Sequence, residues 1–179
     1  DGSYVEYGTK LQGASIYNVK VVKCLHPNMK PDATGVVTCE YCGKSGKFVA
    51  SVDGNLYTDM DAAVTDWLAN GGTLKLYDDY TAADGTWSIG SGSHTINLNG
   101  HKMSVKNGGA FKPTNNMHLT VTDGMEFGHI ENILLDGSQC GSFTLESGYV
   151  GNLKMTGGAV AALKGGSVDE LDVRDSSAN

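Results

Sequence analysis

A chain of 179 residues has room for one domain, or for a small module followed by one domain. Its 13 basic and 20 acidic side chains leave a net charge of −7, which disfavours nucleic acid and anionic membranes as partners because both require a basic footprint. A content of 40% hydrophobic and 18% charged residues predicts a folded chain, and no apolar run approaches the ~18 residues that span a bilayer, so no membrane insertion is expected within this segment.

The 25 glycines lack a collagen period and lie mostly between apolar pairs, so they read as turn residues. The chain begins at Asp1 without a methionine or a signal peptide and reads as a segment of a longer protein. Residues 1–16 are polar and weakly patterned, as in a linker or the end of a preceding domain. From Tyr17 the pattern alternates, with Tyr17, Val19 and Val21 on one face of a strand that leads into Cys24. A polar loop with Pro27, Pro31 and Asp32 follows. A second strand, Val36 to Thr38, enters Cys39-Glu-Tyr-Cys42-Gly43, and a third, Phe48 to Val52, leaves it for a turn at Asp53-Gly54.

One helix is predicted, from Asp59 to Ala69, with Thr58 as its N-cap and Asp61 as a capping-box partner. Met60, Ala63, Val64, Trp67 and Leu68 form one apolar stripe, and Asn70-Gly71-Gly72 ends the helix. Beyond it come short apolar-x-apolar pairs: Leu74/Leu76, Trp87/Ile89, Ile96/Leu98, Met103/Val105 and Leu119/Val121. Residues two apart in a strand share a face, so each pair inserts two side chains into one core.

The last third is an internal repeat of the form apolar-x-x-apolar-x-apolar followed by glycine-rich residues. It runs Ile130/Ile133/Leu135, Cys140/Phe143/Leu145, Val150/Leu153/Met155, then Val160 with Leu163, and Val168/Leu171/Val173. The first three copies start ten residues apart, and the period falls to eight where Lys164-Gly165-Gly166 replaces Lys154-Met155-Thr156-Gly157-Gly158. A two-residue loss preserves strand parity, so every apolar position should still face inward. Such units bury their apolar faces only when stacked, and two ten-residue units make a coil of about 20 residues. The pattern predicts a mainly β protein: a right-handed parallel β-helix over 55–179 with an N-terminal capping helix, preceded by a zinc-ribbon-like module over 17–54. An antiparallel sandwich is the competing architecture, but it needs no constant register.

Cys24-x-His26 followed by Cys39-x-x-Cys42-Gly43 has the donors and spacing of a closed tetrahedral structural Zn2+ site. Four protein ligands leave no open position for water, which argues against metal catalysis. Two disulfides are the alternative, with a redox CxxC behind them. Cys140 occupies a repeat position and is expected to be a small inward-facing hydrophobe, which leaves three cysteines and one histidine for the metal. His94, His101, His118 and His129 lack paired spacing and are expected at strand edges and turns, exposed to solvent. Asp78, Asp79 and Asp84 read as solvated turn residues rather than the carboxylates of a polysaccharide-cleaving site. Trp67 is assigned to the core, and Tyr77, Tyr80 and Tyr149 are candidates for an exposed contact surface.

The succession CLHPNMKPDATGVVTCEYCGK, FVASVDGNLYTDMDAAVTDWLANGGTLKLYDDYT and HTINLNGHKMSV resembles large cell-surface proteins of Gram-positive gut and oral bacteria. In these a Cys-x-His…Cys-x-x-Cys knuckle precedes a helix-capped, pectin-lyase-like right-handed β-helix. The resemblance covers roughly residues 17–105. It implies an extracellular, surface-attached segment whose helix plugs the open end of the solenoid. Two functions are consistent with it: a non-catalytic module for adhesion, glycan or protein binding, or a stalk; and a fragment of a polysaccharide lyase or glycoside hydrolase. The expected partner is a host glycan or an extracellular protein. No catalytic or organic-cofactor residue is assigned; the only expected cofactor is the structural Zn2+ on Cys24, His26, Cys39 and Cys42.

Overall fold

The computed structural model describes residues 3–5, 21–23, 30–40, 43, 45–83, 87–89, 91–114, 117–137, 141–174 and 177–178. They fall into two compact units, Asp1–Lys47 and Phe48–Asn179. In the first unit β1 (Ser3–Val5) pairs antiparallel with β2 (Val21–Lys23), and β3 (Val36–Thr38) pairs antiparallel with β4 (Ser45–Lys47).

The second unit opens with a hairpin, β5 (Ala50–Val52) and β6 (Asn55–Tyr57), turned by Asp53 and Gly54, both with positive φ. Helix α1 (Met60–Asn70) follows, then β7 (Gly72–Leu76), β8 (Tyr80–Ala82), β9 (Trp87–Ile89), β10 (Gly92–Asn97), β11 (Lys102–Val105), β12 (Phe111–Pro113), β13 (Met117–Thr122), β14 (His129–Asp136), β15 (Ser142–Leu145), β16 (Tyr149–Thr156), β17 (Val160–Leu163), β18 (Ser167–Arg174) and β19 (Ser177–Ala178). Strands β7, β10, β13, β15, β17 and β19 stack in parallel in an eight-stranded sheet that β5 and β6 complete. Strands β8, β11, β14, β16 and β18 stack in parallel in a seven-stranded sheet, with β9 and β12 alongside. This is a parallel β-solenoid, and β5 pairs antiparallel with β7 at its first coil. Residues 48–54, grouped above with the zinc module, therefore belong to the solenoid unit.

The repeat register is reproduced in one sheet. Ile130 pairs with Val150 and then Val168; Ile133 with Leu153 and then Leu171; Leu135 with Met155 and then Val173. Coil length follows from the same pairs: 27 residues from Met103 to Ile130, 20 from Ile130 to Val150, and 18 from Val150 to Val168. In the other sheet the expectation for Val160 fails. Phe143 pairs with Ala161 and Leu145 with Leu163, so Val160 points outward and is 49% exposed. The two-residue loss thus falls between β16 and β17, where Gly157 and Gly158 turn the chain with positive φ and the small Ala159 and Ala161 take the inward positions.

The apolar core runs from Ala50 to Ala161 and includes both residues of Leu74/Leu76, Ile96/Leu98, Met103/Val105 and Leu119/Val121, all essentially inaccessible. Helix α1 lies on β5 and β7 and buries Ala63, Val64 and Trp67, with Met60 and Leu68 packed against the core. It covers the first coil as a cap. The N-cap is Asp59, not Thr58: its Oδ1 accepts from the Ala62 amide at 2.8 Å. Asp61, the expected capping-box partner, instead accepts the Tyr80 hydroxyl at 2.7 Å, which ties the helix to β8. Trp67 donates its indole N–H to the Gly72 carbonyl at 3.1 Å.

Candidate functional site

The metal motif straddles the limits of the described residues. Cys24, His26, Cys42 and also Cys140 lie outside them. Cys39 is buried at the end of β3. The Gly43 amide donates to the Cys39 carbonyl at 2.8 Å, and Gly43 takes a left-handed φ of 69° that favours glycine. Strands β3 and β4 flank Cys39 and Gly43 as an antiparallel pair, and the Thr38 and Ser45 hydroxyls lie 2.9 Å apart. Before β3, the Asp32 carboxylate accepts from the Thr34 hydroxyl and amide and from the Val36 amide, at 2.7, 2.8 and 3.0 Å. These bonds hold its pKa below the ordinary carboxylate value and fasten the turn.

The solenoid presents two outward faces of different chemistry. On the β8–β18 sheet, ionisable groups pair with each other across coils. Lys102 meets Glu131 at 2.7 Å, Lys112 meets Asp136 at 3.0 Å, and the Thr156 hydroxyl donates to the same Asp136 at 2.6 Å. The threonine bond, then the lysine, keep Asp136 below its ordinary pKa. The Asn152 amide donates to Asn132, whose own amide donates to the Gly109 carbonyl, at 3.0 and 3.2 Å. His129 stacks edge-on against Tyr149, with ring centroids 4.7 Å apart. Burial first, and Lys102 second, push the His129 pKa down. The Tyr149 hydroxyl bonds Asp169, which raises its pKa.

On the β7–β17 sheet the outward positions are mostly uncharged hydroxyl and amide groups. Thr73, Thr95, Thr120 and Thr144 lie in register on consecutive strands and end at Ala162. Ser93, His118 and Ser142 form the column on one side, and Lys75, Asn97 and Thr122 the column on the other. His118 hydrogen-bonds Ser142.

Several expected positions differ. His94 is 2% exposed, not at a solvated edge, because it shares the inward parity of Ile96 and Leu98; it stacks edge-on against Trp67 at 5.1 Å, and among the described residues neither ring nitrogen has a hydrogen-bond partner. Tyr77 and Tyr80 are buried, not exposed contacts. Asp79 is a turn residue: its Oδ1 accepts from the Lys102 amide at 2.9 Å and lies 3.3 Å from His101 Nδ1. Asp78 receives the Asp79 amide at 3.0 Å, and Asp84 lies outside the described residues. Among the described residues, one strongly exposed aromatic lies outside the sequence-based expectations. Phe127 is 83% exposed on the loop after β13, which Asp123 fastens by accepting from the Gly100 and Gly128 amides at 2.7 and 2.6 Å.

Comparison with protein-family models, with curated proteins and with solved structures finds no match. The reading of function therefore rests on the residues and geometry above.

Proposed function

We propose that this chain is a non-catalytic extracellular recognition module: a capped solenoid that displays an extended binding face, joined to a small unit ordered by structural Zn2+. The observation that carries the reading is the pairing of charges on the β8–β18 sheet. Lys102 with Glu131 and Lys112 with Asp136 neutralise each other across coils instead of converging on a groove. A glycan-cleaving site needs two carboxylates, or a carboxylate and a base, aimed at one scissile bond. Charge pairs of this kind leave a neutralised surface, and extended solenoid faces suit recognition. A lyase or hydrolase fragment is the alternative, and it requires a second cluster beyond these pairs.

Structural zinc follows from the donor chemistry of Cys24, His26, Cys39 and Cys42, and the β3–β4 hairpin with buried Cys39 supports it. When bound, the ion would hold the thiolates deprotonated and add order to a small unit. Surface attachment and a Gram-positive origin rest on the resemblance alone and belong to the same proposal. The test is a panel of immobilised glycans and extracellular proteins probed with the full chain, with native mass spectrometry on the same preparation. Retention by one class of ligand and about one zinc per chain are expected. A chain that no panel member retains, or that converts a polysaccharide to shorter products, contradicts the reading.

A further inference from the structure

The four-threonine column on the β7–β17 sheet has three properties that its neighbours lack together. It is periodic: Thr73, Thr95, Thr120 and Thr144 pair directly across successive coils, so their hydroxyls repeat at the ~4.8 Å spacing of hydrogen-bonded strands. It is accessible: Thr73 is exposed and the other three are half-buried. It is also unspent. Among the described residues, none hydrogen-bonds the hydroxyls of these four threonines, whereas Thr81 meets Ser104, Thr122 reaches the Ile96 carbonyl and Thr156 holds Asp136. The columns beside it add Ser93, Ser142, Asn97 and Thr122; their ionisable members are Lys75 and His118, and past Thr122 the exposed Glu146 and Lys164 neutralise each other at 3.0 Å.

The geometry points to this column as a binding site for a neutral, extended β-1,4-linked glycan lying along the solenoid axis, about one sugar per coil. This rests on the reading of the chain as a recognition module and names the ligand class and the face. A β-1,4-linked pyranose chain is extended, and its advance per sugar is close to the strand spacing; successive sugars turn over about the chain axis, so each coil meets one sugar and an equivalent edge returns at every second coil. Threonine offers a donor and two acceptor lone pairs to ring hydroxyls, and its methyl group offers an apolar contact to sugar C–H faces. An uncharged column inside a chain of net charge −7 favours a neutral polymer over uronate-rich or sulfated ones. An α-1,4-linked chain coils and loses register after one or two sugars.

The test uses the full zinc-loaded chain and short soluble oligomers of β-1,4-linked glucose, β-1,4-linked N-acetylglucosamine and α-1,4-linked glucose. Amide shifts are followed by NMR and affinities by calorimetry. Expected are shifts centred on β7, β10, β13 and β15 with a β-linked oligomer, and at least tenfold weaker binding of the α-linked one. The double variant Thr95→Val/Thr120→Val keeps the branched strand-forming shape and removes two hydroxyls, so the melting temperature should hold while affinity falls about tenfold. Unchanged affinity in that variant, shifts centred on the β8–β18 sheet, or equal binding of the α-linked oligomer would overturn the assignment of this face and leave the recognition reading in place. If no oligomer binds while an extracellular protein does, the glycan inference is wrong and the module reading stands. If neither binds, both fail.

Discussion

Replacing Trp67 with alanine is the sharpest probe of the cap. The indole is completely buried beneath α1, donates to the Gly72 carbonyl at 3.1 Å and meets the edge of His94 at 5.1 Å. Deleting a large aromatic from a packed core costs about 3–5 kcal/mol, which includes the cavity left behind. The aromatic edge contact and the indole hydrogen bond place the expected value at the upper end of that range. For a unit of this size the loss corresponds to a fall in melting temperature of roughly 10–20 °C. Trp67→Phe keeps a ring against His94 and loses the donor, so it should cost about half as much or less. Urea denaturation followed by circular dichroism measures both, and zinc content measured on the same samples should be unchanged. A Trp67→Ala loss below about 1 kcal/mol, with α1 still formed, would refute the assignment of this residue to the core of the first coil.

Gly141→Ala should destabilise by about 1–3 kcal/mol or prevent β15 from pairing, since a Cβ there would lie 1.7 Å from the Met117 carbonyl oxygen; a chemical melt with less than half that loss contradicts the β13–β15 register. Asp123→Ala should cost about 1–3 kcal/mol and release the Phe127 loop, seen as faster amide exchange at Gly100 and Gly128, whose N–H groups the carboxylate accepts. The His129 pKa is depressed in the fold, so the unfolded chain binds more protons just below the ordinary value of about 6.5, and stability must fall with pH from there downward. Asp136, also depressed, adds its own loss only in more acid solution, as pH drops through and below the ordinary carboxylate range. Thermal melts at about pH 7.5 and pH 5.5 should therefore differ less in His129→Phe than in the parent chain; an equal difference sinks the assignment.

The solenoid was legible because its repeat has a constant register. Ile130, Val150 and Val168 stand at equivalent positions in the sequence and pair directly across the sheet. The slip at Val160 shows where the same reasoning runs out. An eight-residue period fixes how many residues are lost but not which turn loses them, and the tight Gly157-Gly158 turn took the loss one connection earlier. His94 was missed because only the Ile96/Leu98 pair was read as a strand. Carrying the same parity two residues back places His94 in the core, and a polar residue type obscured the signal. Tyr77 and Tyr80 were misjudged because residue type alone does not reveal the cover that α1 and β5 supply; the Asp61–Tyr80 hydrogen bond joins residues 19 positions apart. The threonine column is a property of the stacking itself. Its members stand 22, 25 and 24 residues apart in the chain, and only the unequal coil lengths bring them into one line. The metal motif is read from spacing alone; of its four donors only Cys39 lies among the described residues, at the end of a strand whose partner β4 the sequence pattern did not mark.

The central claim is recognition without cleavage, and it is tested most directly by following one glycan that the chain retains. The full chain is incubated with that polysaccharide for a day, and both retention and newly formed reducing ends or unsaturated sugar termini are measured on the same sample. The account predicts stable retention and a polymer length that does not change. A steady release of shorter chains, abolished by substituting a Lys102 or Glu131 side chain, would show that the paired charges of the β8–β18 sheet open on substrate and that the chain is an enzyme.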